Sequence, residues 1–421
     1  MTLEINRKIA SKFGIDFTQI EQAIDLKKNL AILGNDLTFL SIPEHQRTKH
    51  VHRLHPYLGK FIPQLVEVFL KKFFQPGDWI LDPFSGSGTT LVEANVLGIN
   101  SVGIELSAFN VLIQRVKTQE YDLKLLEKEV FDALTRLKAF SQKFETRAQP
   151  GFFDDFELKP QLLEGASEYL KEWFAPRSLE ELLFYRSIIP EYQYQEVLMV
   201  ILSRSARSAR LIPHYDLARP KEPVRETYWC IKHKRYCQPT KQALKFINRY
   251  SYDTVSRIKK FHRIRTEAEI HIFEGDAQTI KLPERFKFNG VFTSPPYVGL
   301  IDYHEQHRYA YELFNFPRKD NLEIGASFRG ASRKAQEEYK SGIIRVFKNL
   351  SSYLIPKAKI FIVANDKYNL YPQIGESLGY KLIDVFHRPV LMRTERDQNK
   401  FFESIFYFEK PERIFPSFIK I

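Results

Sequence analysis

Cysteine is almost absent from this chain: Cys230 and Cys237 are the two in 421 residues. A disulfide framework is therefore excluded as the source of stability, and a reducing compartment is the simpler setting. No stretch approaches the ~20 apolar residues of a membrane span, and the N-terminal MTLEINRKIASKFG has no apolar run behind its charges. The expectation is a soluble, cytoplasmic protein without a membrane partner. Acidic residues are also in deficit, 51 against 63 Lys and Arg, for a formal charge of +12. A basic excess with no membrane anchor makes a polyanion the leading partner. Apolar residues are not scarce: 43% are hydrophobic and 14% aromatic, which excludes a mainly disordered chain. The length accommodates two or three domains.

Residues 1–47 mix apolar and charged segments that fit one or two helices and carry no motif. Beyond His50, the amphipathic stretch PQLVEVFLKKFF stops at Gln75-Pro76-Gly77, and DWILD reads as a short buried strand. A Gly/Ser/Thr turn leads into the helical TTLVEANVLG, and SVGIEL follows as a second strand. Strand, helix and strand in about thirty residues make the βαβ unit of a parallel sheet. From 118 to 267 the alternation gives way to helical patterns, among them PQLLEGASEYLKEWF. An irregular basic segment follows, marked by Pro213, Pro220, Pro223 and Pro239. Strand signals resume at EIHIFEGDA, FNGVFTSPPY, KAKIFIVAND, KLIDVFHRP and ESIFYFE. The expected organisation is an N-terminal helical segment (1–47), one α/β sheet domain built from 48–117 and 268–421, and an inserted helical and basic region (118–267).

The segment Asp82-Pro83-Phe84-Ser85-Gly86-Ser87-Gly88-Thr89-Thr90 joins the first strand to its helix. Glycines permit a tight turn and close ligand approach, and a helix N-terminus offers free amides. Neither a Walker lysine nor a full G-x-G-x-x-G follows, and Asp82 would repel a pyrophosphate yet accept from an ammonium. Glu105 ends the second strand, where a carboxylate takes both hydroxyls of an unphosphorylated ribose. Asp276 ends the third, placed to meet an adenine amino group. Taken singly, Asp82 also reads as a helix cap and Glu105 as a solvated strand end. The ordered set describes S-adenosylmethionine better than NAD.

Thr293-Ser294-Pro295-Pro296-Tyr297 follows the apolar GVF. Two consecutive prolines end ladder pairing and stiffen a loop at the strand's C-terminal edge, where open α/β sheets place ligands. Ser294 offers a hydroxyl, Pro295 a carbonyl free of the ladder, and Tyr297 a ring on which a base can stack.

With DPFSGSGTT and TSPPY the chain resembles the S-adenosylmethionine-dependent amino-methyltransferases of DNA, which methylate exocyclic amines of cytosine or adenine. His55-Pro56-Tyr57-Leu58-Gly59-Lys60-Phe61-Ile62-Pro63 is similar to the segment that many members carry before the first strand to close the cofactor pocket. The resemblance covers residues 50–110 and 270–410. It implies a Rossmann-like methyltransferase sheet, mostly parallel with an antiparallel last strand. It also implies that Tyr57, Lys60, Phe61, Asp82, Pro83, Phe84, Ser85, Gly86, Gly88, Thr89, Thr90, Glu105, Leu106, Asp276, Ala277 and Thr293 hold the cofactor. Ser294, Pro295, Pro296 and Tyr297 are then the catalytic set. The S-P-P-Y spelling is the variant associated with cytosine N4, so the expected reaction is methylation of a flipped cytosine in double-stranded DNA. A cognate restriction endonuclease is a possible partner. Adenine N6 and RNA base amines are the alternatives. Methylation at cytosine C5 is excluded, because it needs a cysteine nucleophile, usually after proline, whereas Cys230 follows Trp229 and Cys237 follows Tyr236.

Residues 201–265 hold 17 Lys and Arg against four acids, a net +13 that leaves the rest of the chain nearly neutral. Tyr215, Tyr228, Trp229, Tyr236, Tyr250 and Tyr252 are interleaved. Phosphate contact and base stacking are the reading, with Arg204, Arg207, Arg210, Lys232, Lys234 and Arg235 as DNA-binding candidates. A solvated face is the bland alternative. No metal is assigned. Cys230-x2-His233-x3-Cys237 has zinc-ligand residue types but no clear fourth ligand, His214 and His262 being distant in sequence. Asp302 and His304 are candidates for DNA contact or loop ordering, and Asn365 and Asp366 for lining the site or making a turn.

Overall fold

Short apolar runs bounded by turn residues become strands, as patterning requires. The computed structural model describes residues 4, 26–56, 62–147, 163, 165–216, 220–300, 302–390 and 401–412. Strands β1 (Trp79–Asp82) and β2 (Asn100–Glu105) flank the first turn; β3 (Tyr228–Cys230) and β4 (Arg235–Cys237) form a separate antiparallel ribbon. Then come β5 (Ile270–Glu274), β6 (Phe288–Thr293), β7 (Leu354–Ala364), β8 (Lys381–Val390) and β9 (Phe401–Glu409). Seven of them make one sheet in the order β5-β2-β1-β6-β7-β9-β8. The five strands from β5 to β7 pair in parallel, while β9 runs antiparallel to both β7 and β8. The antiparallel last strand is thus present, threaded between two others rather than placed at the edge.

The helices are α1 (Leu26–Leu33), α2 (Glu44–Arg47), α3 (Pro63–Phe73), α4 (Thr89–Val96), α5 (Ala108–Thr118), α6 (Leu123–Arg147) and α7 (Glu168–Trp173). They continue with α8 (Pro176–Ile188), α9 (Gln195–Ala209), α10 (Leu244–His262), α11 (Tyr303–Gln306), α12 (Arg308–Phe314), α13 (Arg333–Leu350) and α14 (Tyr371–Ser377). Helix α3 begins with Pro63 in its first turn, where a missing N–H costs nothing, and buries Leu65, Val66, Phe69 and Leu70. Phe69 meets Phe292, Phe361 and Phe386 at ring separations of 5.7, 5.3 and 5.4 Å on one sheet face. Each such side chain contributes roughly 1.5–3 kcal/mol of burial. Helix α13 covers the other face with Tyr339, Ile343, Val346 and Phe347, packed with Val291 and Ile360. Burial on both faces explains why the apolar residues stand side by side in the WIL of β1 and the VF of β6 instead of alternating with polar ones.

The helices between β2 and β5 add no strand to the main sheet. They are joined to it by one core that runs from Phe109 and Val116 of α5 through α6, α8, α9 and α10 to Tyr309 and Leu313 of α12. Between the proline-marked segment and the next strand, where the sequence names no helix, stands the 19-residue α10. Its buried Ile247, Ser251, Thr254, Val255, Ile258 and Phe261 lie at helical spacing, all beyond the last proline. Conversely, in the helix expected over PQLLEGASEYLKEWF, the described residues show a turn at Gly165 and a bend at Ala166 between the helical Leu163 and α7, which Ser167 caps by accepting from the Leu170 amide. Residues 160–162 and 164 lie outside the described residues.

Candidate active site

Strand order sorts the motifs. Because β5, β2, β1 and β6 are neighbours, Asp276, Glu105, Asp82 and Ser294 follow one another along the C-terminal edge of the sheet. Three inter-strand steps of ~4.8 Å separate the first from the last, about 14 Å in all. All four line one cleft of about 860 Å³, part of it open to solvent. Pro83, Phe84, Ser85, Gly86, Thr89, Leu106, Ala277 and Pro296 line it too.

The loop between β1 and α4 is held open from behind. Gly86 (φ +49°) and Gly88 (φ +77°) occupy the left-handed region that side chains disfavour. Ser85 donates to the Ile104 carbonyl from both its amide (3.1 Å) and its hydroxyl (3.0 Å). From α5, Gln114 Nε2 donates to the Gly86 carbonyl at 2.8 Å and the buried Lys117 ammonium donates to that of Ser87. Opposite Ser85 stands Gly103, where a Cβ would come within 2.8 Å of Leu91 and 2.9 Å of the Ser85 hydroxyl. The glycine of SVGIEL therefore lets the strand pass under the loop.

Glu105 accepts from the amides of Gly86 (2.8 Å) and Ser107 (2.9 Å) and from Asn110 Nδ2 (3.2 Å). Asp82 accepts from Thr293 Oγ1 (2.7 Å) and the Phe84 amide (3.2 Å). Burial outweighs these bonds and raises Asp82 to about 6 and Glu105 to about 7. Asp276 accepts from the Gln278 amide at 2.9 Å, two residues past the end of β5.

The TSPPY loop divides two spaces. Ser294 and Pro296 face the cleft; Tyr297 lines a second cavity of about 740 Å³ together with Val298, Asn365, Asp366, Tyr368 and Tyr371. Tyr297 donates its hydroxyl to Glu403 Oε1 at 3.0 Å, and Glu403 pairs with Arg388 at 3.5 Å from the facing register position on β8. Burial and then the Glu403 charge push the phenol well above its ordinary value, so it stays protonated. Asp366 also accepts from the Leu370 and Tyr371 amides, at 2.7 and 3.2 Å, the turn duty that its residue type favours.

Residues 16–113 match the family model described as DNA methylase. Type II methyltransferase M.MjaII of Methanocaldococcus jannaschii is 43% identical over 442 residues, spanning 90% of this chain and 83% of its own length. The chain belongs to the N4/N6 DNA methylase family. Type II methyltransferase M.BsoBI of Geobacillus stearothermophilus is 29% identical over 70% of the methylase and 59% of its own length. M.MvaI of Kocuria varians, another type II methyltransferase, is 23% identical over 58% of the methylase and 53% of its own length. The methylase is a DNA methyltransferase, and its family uses S-adenosylmethionine.

Not every expected site residue reaches the cleft. Thr90 stands behind Asp82, which it hydrogen-bonds, and donates to the Phe292 carbonyl at 3.3 Å; Thr293 is committed to Asp82, and Gly88 caps α4 against Gln114. Pro295 is not among the lining residues. Tyr57, Lys60 and Phe61 lie outside the described residues. The methylase adds a wall of which the sequence singles out only His304: Tyr303, His304, Leu322, Glu323 and Ile324, from the stretch between β6 and α13. His304 is buried there against the Glu323 carboxylate, which also accepts from the Tyr303 and His304 amides at 3.2 and 3.0 Å. His304 is thus part of the cleft wall, while Asp302 orders the loop by accepting from the Phe328 amide at 3.2 Å.

The basic segment requires a correction. Arg204 is buried, paired with Asp253 at 2.6 Å and laid over the Tyr250 ring at 4.0 Å. Arg210 is buried over Tyr309 at 4.9 Å. Arg204 points inward from α9 and Arg210 inward from the extended residue that caps it, where aromatic faces and an acid take the guanidinium groups, so neither is a surface phosphate contact. Arg207, between them on α9, is half-buried. Lys232 and Lys234 are exposed in the turn between β3 and β4, and Arg235 is exposed at the start of β4. Of the two distant histidines, His214 joins Cys230, His233 and Cys237; His262 ends α10, outside that group.

Proposed function

We propose that this methylase transfers a methyl group from S-adenosylmethionine to the N4 amine of a cytosine flipped out of duplex DNA. The observation that carries the reading is the row Asp276, Glu105, Asp82, Ser294 along one cleft. The donor set fits the cofactor in sequence: an acceptor for the adenine amine, a carboxylate for two ribose hydroxyls, and a carboxylate for the ammonium. Three of Glu105's roughly four lone-pair sites meet the Gly86, Ser107 and Asn110 donors, and the capacity that remains for a ligand is on Oε2. When bound, S-adenosylmethionine supplies an electrophilic methyl group. The chain's own work is positioning and polarisation. Ser294 and the Pro295 carbonyl accept from the target amine and free its lone pair for attack, while Tyr297 offers its ring to the base from the second cavity. Flipping costs a few kcal/mol, partly offset by that stacking. Arg388 and Glu403 hold the Tyr297 hydroxyl and so fix the loop. The serine of the tetrapeptide supports cytosine over adenine, and the type II relatives support a cognate endonuclease acting on the same sequence.

Methyl transfer from labelled S-adenosylmethionine to duplex DNA, in competition with structured RNA, tests the substrate. Label is expected in the duplex, and label confined to RNA contradicts the reading.

Two further outcomes are expected. A ligand that donates to ionised Asp82 and Glu105 displaces protons from groups raised to about 6 and about 7 from ordinary values of 3.8 and 4.5. In that window the free fold binds more protons than either the complex or the unfolded chain. S-adenosylmethionine affinity should therefore rise with pH from about 5 to about 7, by at most tenfold per unit for each proton released, as the free protein loses stability. Calorimetric titration in two buffers of different ionisation heat reads the protons directly; an affinity that falls with pH contradicts the assignment. Separately, changing Lys232, Lys234 and Arg235 together to Gln should flatten the salt dependence of DNA binding. The slope of log K against log salt should fall by up to ~2.7, about 0.9 for each phosphate no longer neutralised. An unchanged slope would remove the ribbon from the interface.

A further inference from the structure

We infer that His214, Cys230, His233 and Cys237 bind one structural zinc ion, which fixes the β3–β4 ribbon and the basic turn it carries. The ligand atoms of the four side chains all lie within 4.8 Å of one another. His233 Nδ1 stands 3.6 Å from Cys230 Sγ and 3.5 Å from Cys237 Sγ. A tetrahedral zinc with bonds of about 2.3 Å to sulfur and 2.0–2.1 Å to nitrogen requires a sulfur-to-nitrogen edge of about 3.5–3.6 Å. One imidazole nitrogen directs a single lone pair or N–H along one line, so two sulfurs at equal distance fit two edges of a tetrahedron better than they fit two hydrogen bonds. Both cysteines are buried free thiols. The fourth member arrives from the segment after α9: the His214 ring lies 5.0 Å from that of His233, its amide donates to the Tyr228 hydroxyl at 2.9 Å, and its buried Nδ1 has no hydrogen-bond partner among the described residues.

The ribbon needs such a staple. Each strand has three residues, too few for an isolated hairpin to be stable in water. Its rings are spent outward: Trp229 and Tyr236 are 52% and 71% exposed and meet edge to face at 5.3 Å. Alternation puts Cys230 and Cys237 on the opposite side, where a metal replaces the missing apolar core. A tetrahedral set of two sulfurs and two nitrogens selects zinc, and four protein ligands leave no open position for catalysis. The ion would hold Lys232, Lys234 and Arg235 in one geometry beside Trp229 and Tyr236. That consequence rests on the DNA reading above; the metal site does not.

The test is metal analysis of the full-length protein, purified under reductant from zinc-supplemented medium without a metal-affinity tag. One zinc per chain is expected. Cobalt substituted for zinc should give intense tetrahedral d–d bands with a thiolate charge-transfer band. Cys237→Ser should lose the metal, whereas His214→Cys, which keeps four ligands, should retain it and guard against misreading a folding failure. Metal-free wild-type protein that takes up no added zinc, an octahedral cobalt spectrum, or a native Cys230–Cys237 disulfide would each overturn the site. Chelator-stripped protein should bind S-adenosylmethionine as before but show the shallow salt slope of the Lys232/Lys234/Arg235 variant. A zinc-loaded protein whose DNA binding ignores stripping would refute the presenting role alone.

Discussion

Ser294→Ala should lower turnover by roughly 10²–10³-fold, the cost of removing one preorganised hydrogen-bonding group from a site of developing charge, while S-adenosylmethionine binds as tightly as before. The reason lies in the tetrapeptide's position. Ser294 is the last of the row along the sheet edge, three residues before the Tyr297 that lines the second cavity, and on the proposed reading its hydroxyl serves the methyl acceptor rather than the donor. Single-turnover rates with saturating cofactor, set beside equilibrium cofactor binding, separate the two roles. Equal losses in both would move Ser294 into the cofactor site. Glu403→Gln gives a milder version of the same pattern, because it loosens Tyr297 from behind.

Asp82→Ala should do the opposite and weaken S-adenosylmethionine binding by roughly 10–100-fold, the ~1.5–3 kcal/mol of a hydrogen bond to a charged group. The variant also leaves Thr293 Oγ1 and the Phe84 amide without their acceptor, which costs the fold about 1–3 kcal/mol. Asp82→Asn separates the effects, since it keeps the shape and an acceptor but removes the charge. Reduced affinity in both variants, with a melting temperature lowered mainly in the alanine one, is the expected result. Undiminished affinity in Asp82→Asn would assign the carboxylate to loop structure.

Much of this was legible in the sequence because the chemistry sits at strand ends. DPFSGSGTT and TSPPY each follow an apolar run, and a parallel sheet delivers both to one edge. The acids that they and their neighbours supply could be placed before any coordinates. What stayed hidden has physical reasons. Tyr303, Leu322, Glu323 and Ile324 come from short helical turns and loops between β6 and α13, too short for periodicity to mark which side chain turns inward; the sequence singles out His304, but not as part of the cleft wall. The link from Tyr297 through Glu403 to Arg388 depends on the register of two antiparallel strands, which the sequence leaves open. Charge counting misjudged Arg204 and Arg210: the one-sided charge of residues 201–265 read as phosphate contact, yet Asp253, Tyr250 and Tyr309 take these two inside. His214 lies sixteen residues before Cys230, beyond the range of a compact spacing motif. Only the turn back from α9 to the ribbon brings it within reach.

The most direct test of the central claim is to methylate duplex DNA with the purified enzyme and labelled S-adenosylmethionine, digest it to nucleosides and identify the labelled base. Ser294, Pro295 and Tyr297, acting on an exocyclic cytosine amine, predict label in N4-methylcytosine. Label in N6-methyladenine, or its absence from every base, would contradict it.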